Sequence, residues 1–220
     1  MIAWWWHEAG RYNVLPIAGK PPAPAKGPNP PMRVHRFYPD IAPVFIEAAP
    51  DIINANYQIV TDLEVADDQA QGMILAHGGK FGGYGLFLLD GRPHFLYNFL
   101  GIRETIVAAK QPLPHGRHRV RVVFRKTGAP EFGKGRGAPG VAQMFIDDVL
   151  VGEGRIDPTA PVMLNFSGTL TCGYHHMEPF NASYSSPFRF TGTIHEVTVT
   201  AHNERIVDEG LEREVSMKRQ

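Results

Sequence analysis

Short apolar runs, each cut off by glycine, proline or aspartate, recur from about Val34 to Thr200. This rhythm suits strands and leaves no window long enough for an amphipathic helix. Residues 57–65 alternate around Ile59, Leu63 and Val65, and residues 72–76 form a short apolar run. Residues 84–89 and 93–99 flank Asp90-Gly91. Asp-Gly between two such runs is a strong hairpin signal, because both positions of the tight turn need positive φ. Further runs span 104–109, 117–126 and 141–146, after which Asp147-Asp148 turns the chain into 149–153. Runs at 161–166 and 170–174 follow. The last run, 188–200, has an inward set of Phe188, Phe190, Ile194, Val197 and Val199, with a slip at Gly192. About ten to twelve strands at this spacing predict an all-β, two-sheet antiparallel sandwich.

The ends differ from this middle. Residues 20–31 are dominated by proline, and Trp4, Trp5 and Trp6 stand near the start. We therefore read 1–31 as a Trp/Pro-rich arm, 32–203 as one sandwich domain and 204–220 as a tail. Proline-rich segments run extended, and indoles bring much apolar area to a docking surface. An opening on three tryptophans also reads like a piece cut from inside a longer protein. Lys plus Arg and Asp plus Glu number 22 each, a formal net charge of zero. That argues against a general nucleic-acid binder, which needs a cationic surplus. No apolar run reaches the length of a membrane span, and no secretory signal is visible. A cytoplasmic location is expected, or a periplasmic one if a longer precursor exists. The single cysteine, Cys172, can form no internal disulfide and is expected to be a buried strand thiol.

Ordered motifs along the chain resemble one family. Trp5-Trp6-His7-Glu8-Ala9-Gly10-Arg11-Tyr12, Ala76-His77-Gly78-Gly79-Lys80-Phe81-Gly82-Gly83-Tyr84 and Tyr97-Asn98-Phe99-Leu100-Gly101 are similar to the C-terminal region of bacterial arylsulfatases. Pro112 to His118, Phe145 to Gly154 and Ser186 to Ile194 continue the resemblance, which runs from about residue 4 to 200. It implies a jelly-roll, concanavalin A-like fold. Where the family usually reads Gly-Arg-Asp, this chain has Gly173-Tyr174-His175, so any role of that carboxylate is lost. The sulfatase catalytic core is absent. Ser185-Ser186-Pro187-Phe188-Arg189 mimics the sulfatase nucleophile signature, but it runs into an alternating strand rather than a helix start beside a metal.

Several residues are candidates for binding. The glycines at 78, 79, 82, 83 and 85 lack the spacing of a phosphate loop, yet they surround His77, Lys80 and Tyr84 with backbone amides. That mixture suits a carbohydrate or anionic ligand. Tyr97, Asn98, His175 and Tyr184 extend the candidate set. His175 and His176 are the one metal candidate, although adjacent strand residues point to opposite faces. Asp67-Asp68 and Asp147-Asp148 are adjacent and at turns, unlike paired glycosidase carboxylates. Residues 117, 119 and 121 are arginines sharing one strand face; with Arg125, Lys126, Lys134 and Arg136 they form either a solvated face or a patch for acidic glycans or partners.

No cofactor is implied. The first reading is a non-catalytic accessory module, similar to an arylsulfatase C-terminal domain, that docks in an oligomer or on a partner protein. The second is a lectin-like binder of sugars, possibly sulfated, with Tyr84, Tyr97 and Asn98 on an aromatic-lined concave face. The third is a small metal-dependent hydrolase using His175 and His176.

Overall fold

The computed structural model describes residues 32–46, 48–165 and 168–202. The arm with its three tryptophans and the 204–220 tail lie outside the described residues.

The described chain forms thirteen strands and a single 3-10 turn, Phe132–Lys134. The strands are β1 Met32–Phe37, β2 Asn56–Val65, β3 Gly72–Gly79, β4 Gly82–Leu89, β5 Arg92–Phe99, β6 Arg103–Ala108 and β7 Gly116–Lys126. After the turn come β8 Gly140–Ile146, β9 Val149–Ile156, β10 Leu170–Cys172, β11 Tyr174–His175, β12 Phe188–Arg189 and β13 Thr193–His202. They build a jelly-roll sandwich. One sheet, here the A sheet, has the order β1-β13-β2-β7-β8-β9. The other, the B sheet, has the order β11-β12-β3-β4-β5-β6, with β10 also paired to β3. All pairings are antiparallel except β12 with β3.

The turns follow from local chemistry. Asp90 (φ 50°) and Gly91 (φ 67°) both occupy the left-handed region, and the β4–β5 hairpin closes with Leu89 opposite Arg92. Asp147 (φ 47°) and Asp148 (φ 69°) do the same between β8 and β9. Aspartate is one of the few residues with a side chain that tolerates this region, and here the Asp147 carboxylate also accepts from the Arg119 N–H of β7 at 2.9 Å.

Strand β2 alternates strictly between buried and half-buried residues until its last turn outward. Its inward side chains Tyr57, Ile59, Leu63 and Val65 meet Val120, Val122 and Phe124 of β7 and Val197 and Val199 of β13. The B sheet supplies Leu75, Tyr84, Leu86, Leu88, Phe95, Tyr97 and Val107 to the same core. Each fully buried Leu or Phe there contributes roughly 1.5–3 kcal/mol.

A second apolar cluster lies on the outer face of the B sheet. Met73, Ala76, Phe87 and Leu96 of the sheet are covered by Phe180 and Tyr184 from the β11–β12 connection and by Phe188 of β12. The ring of Phe180 lies over Gly85, where a Cβ would come within 2.9 Å of it.

Two sequence expectations change here. The last run is two strands, β12 and β13, and a bulge falls between Ile194 and Glu196. Phe190, Ile194, Val197 and Val199 are in the inter-sheet core, but Phe188 belongs to the outer cluster. The expected strand at 161–166 is irregular over its described part, Pro161 to Asn165. Side chains serve the backbone there instead of a neighbouring strand: the Asn54 amide donates to the Pro161 carbonyl at 2.8 Å, and the Ala160 N–H donates to the Tyr97 hydroxyl at 2.9 Å.

Candidate functional site

The β3–β4 turn is the feature around which the candidate residues gather. Gly79 pairs with Gly82, which leaves Lys80 and Phe81 at the tip. The positive φ values fall on Gly78, Gly82 and Gly83 rather than on the two tip residues. Glycine accepts these angles without steric cost, so a cation and an aromatic ring can be displayed together. Both are exposed.

The buried Asn98 fixes this tip. Its Nδ2 donates to the carbonyls of Gly79 (3.1 Å) and Lys80 (2.9 Å). Its Oδ1 accepts from the Gly101 N–H at 2.9 Å. One side chain therefore braces the β3–β4 and β5–β6 turns side by side. With these three bonds made, Asn98 acts as a positioning residue.

A second brace comes from β11. The His175 Nε2 donates to the Gly78 carbonyl at 2.9 Å, which leaves Nδ1 to accept from the Tyr184 hydroxyl at 2.8 Å. The Tyr184 oxygen in turn accepts from the Phe180 N–H at 3.1 Å. The imidazole also stacks on Phe180, with centroids 5.2 Å apart. Burial holds the His175 pKa below its usual value, so the ring is neutral as this network requires.

Beside the tip lies a pocket of about 240 Å³ lined by Gly79 to Gly82, Asn165, Gly168, Met177 and Glu178. The Lys80 ammonium meets the Glu178 carboxylate at 2.6 Å, both half open to solvent. The Lys80 Nζ also stands 5.9 Å from the Phe81 ring centroid. Asn165 is 2% exposed; its Oδ1 accepts from the Gly168 N–H at 2.6 Å, while its Nδ2 has no partner. A buried amide N–H without a partner is costly, so a ligand oxygen reaching it would recover that cost.

The two tyrosines expected on a concave aromatic face are elsewhere. His77, Tyr84 and Tyr97 form one row across the B sheet, His77 opposite Tyr84 and Tyr84 opposite Tyr97. That row faces the A sheet. Tyr84 is 0% and Tyr97 4% exposed, and burial pushes the Tyr97 phenol up to about 12. Neither ring can stack on a ligand from outside. His77 is equally enclosed, with both ring nitrogens unpartnered. The opposite face of this sheet is covered by Phe180, Tyr184 and Phe188, so among the described residues its middle strands present no open aromatic platform.

His175 and His176 do not converge: His175 is buried with both nitrogens bonded, while His176 is exposed beside Tyr174. Among the described residues, no group of three or more His, Cys, Asp or Glu side chains could hold a metal ion. Likewise, no described helix is long and apolar enough to cross a membrane.

Phe81, Asn165, Met177 and Glu178 are the pocket residues that sequence reading missed. Phe81 carried one usable signal, an aromatic residue at the tip of a turn between two Gly-Gly pairs. The other three arrive from far along the chain and left none.

No protein-family model matches this chain, and no curated protein does. Solved structures do match in outline. The CBM40 of a Ruminococcus gnavus IT-sialidase, bound to α2,3-sialyllactose, is 12% identical over 74% of this chain and 82% of that one, with a TM-score of 0.47. Domains LG4-5 of the mouse laminin α1 chain are 15% identical over 84% of this chain and 47% of that one, with a TM-score of 0.48. The receptor-binding domain of a botulinum neurotoxin C/D mosaic serotype is 9% identical over 76% of this chain and 37% of that one, at 0.43. Likeness this distant leaves the chain's own geometry as the ground for any functional reading. The arylsulfatase resemblance draws no support from these comparisons.

Proposed function

We propose that this chain is a binding module whose pocket at the β3–β4 turn takes a saccharide. One observation carries the reading: the pocket combines an exposed aromatic ring, an ion pair and an unpartnered amide on rigidly braced turns. A sugar ring offers an apolar C–H face and a rim of hydroxyls. Phe81 supplies a surface for the first. The Lys80–Glu178 pair supplies a donor and an acceptor for vicinal hydroxyls, and Asn165 Nδ2 supplies a further donor. Ligand pockets commonly join apolar walls to a few fixed polar groups in this way. Bracing by Asn98 and His175 lowers the ordering cost that binding must overcome.

Accessory docking in a larger assembly, the other reading from sequence, rests on the arm and the arylsulfatase resemblance, and no described surface favours it over saccharide binding.

A glycan array followed by calorimetry on its best hit tests the proposal. Phe81→Ala should weaken binding by about tenfold through loss of stacking. The thermal midpoint should move by no more than about 1–2 °C, because Phe81 is a surface residue. Binding that survives both Phe81→Ala and Glu178→Gln would refute the assignment of this pocket.

A further inference from the structure

The outer face of the A sheet carries an arginine row along β7, and its charges are not evenly matched. Alternation puts Arg117, Arg119, Arg121, Val123 and Arg125 on the same side. Asp62 of β2 stands 3.9 Å from Arg117 and 3.3 Å from Arg119. Arg121 reaches Asp148 at 2.9 Å and lies over the Phe145 ring at 4.2 Å. Arg125 is exposed and makes no ion pair among the described residues. Among the described residues the acids thus meet one end of the arginine row, and Arg125 at its other end stands without one.

At that end the surface is hollow. A depression of about 440 Å³ is lined by Arg121, Arg125 and His202, together with Asn56 and Gln58, and among the described residues no carboxylate lines it. The register explains the grouping. His202 of β13 pairs with Asn56 of β2. Asn56 lies one step beyond the Tyr57–Phe124 pair, which puts it beside Arg125. Strands lie about 4.8 Å apart, so His202 and Arg125 flank Asn56 at roughly 10 Å from each other. Along β7, Arg121 and Arg125 are four residues apart, about 13 Å.

We infer that this depression binds an anionic saccharide, one bearing sulfate or carboxylate groups at repeated positions. Guanidinium groups recognise oxyanions by paired, charge-assisted bonds, and the Asn56 and Gln58 side chains between them suit hydroxyls. Nucleic acid is the less favoured polyanion, because the aromatic residues lining the depression turn their rings away and the Phe145 ring lies under the Arg121 guanidinium. Tyr57 and Phe124 stack on each other at 4.9 Å inside the core and are 2–3% exposed. Single strands are normally held by open aromatic platforms. The site is on the opposite sheet from the Phe81 pocket and does not rest on that reading.

The test is fluorescence polarisation with labelled dextran sulfate on the full chain at about 50 mM NaCl, where surface charges are weakly screened. Unlabelled neutral dextran and an oligo-dT strand serve as competitors. The wild-type chain should bind dextran sulfate, neutral dextran should not compete, and oligo-dT should compete only weakly. Arg125→Gln should weaken binding by about tenfold, the loss expected for one charge-assisted contact. Arg103→Gln, an exposed arginine on the B sheet, should leave it unchanged. Absence of binding by the wild-type chain, equal losses in both variants, or oligo-dT competing as well as dextran sulfate itself would each overturn the inference.

Discussion

Lowering the pH from 7.5 to 4 should weaken this fold, and a separable share of the loss belongs to one residue, His77. The imidazole is enclosed between the sheets, edge-on to Tyr84 with centroids 5.6 Å apart, and neither nitrogen has a partner. Burial pushes its pKa down from 6.5 to about 4. In the unfolded chain the ring takes up a proton as pH falls through 6.5; in the folded chain it stays neutral until about 4. The unfolded state therefore binds more protons across that window, and stability falls as pH falls. Above the unfolded value nothing is lost, and below the folded value nothing more is lost. At about 1.36 kcal/mol per pH unit, the full loss is roughly 3 kcal/mol. That is a sizeable part of the 5–15 kcal/mol, approximately, that holds a domain together. With a urea dependence of about 1–3 kcal/mol per molar, the unfolding midpoint should drop by roughly 1–3 M. Urea titrations at several pH values check this, run on wild-type chain and on His77→Leu. Other groups titrate in the same range, His175 among them, so the decisive quantity is the difference between the two proteins. The variant should lose about 3 kcal/mol less than the wild type. Parallel pH curves would show that the ring finds a proton partner in the fold and would refute the reasoning.

Two further outcomes follow from other buried groups. Asn98→Ala removes three bonds that brace adjacent turns; it should lower stability by roughly 2–4 kcal/mol and weaken saccharide binding without touching the pocket wall, which urea unfolding and calorimetry would show. Cys172 is buried at 0% exposure, and burial, with Asp40 nearby, pushes its thiol up to about 12; a disulfide reagent at pH 8 should leave it unmodified until denaturant unfolds the chain.

Sequence alone was enough for the layers and many of the turns. Asp90-Gly91 and Asp147-Asp148 lie where their backbone preferences put them, and the strict alternation of β2 separates its two faces. The shared face of Arg117, Arg119 and Arg121 was equally readable. The B sheet was not. Strands β3 and β4 are buried on both sides, and β5 nearly so, which removes the contrast that tells inside from outside. Tyr84 and Tyr97 therefore read as a platform for ligand although they point into the core. The cause lies about a hundred residues away, in Phe180, Tyr184 and Phe188, which cover the outer face; no local pattern announces that contact. The same distance hid Asn165 and Glu178 from the pocket around Lys80.

The covering of the B sheet by its own chain has a consequence for how such a molecule can diversify. Substitutions on either face of its middle strands must satisfy two tightly packed neighbours at once, so that region tolerates little drift. The tip residues Lys80 and Phe81 carry no such obligation, because Asn98 holds the turn through backbone carbonyls and is indifferent to the side chains mounted there. New recognition could arise by exchanging those two residues while the scaffold beneath stays as it is.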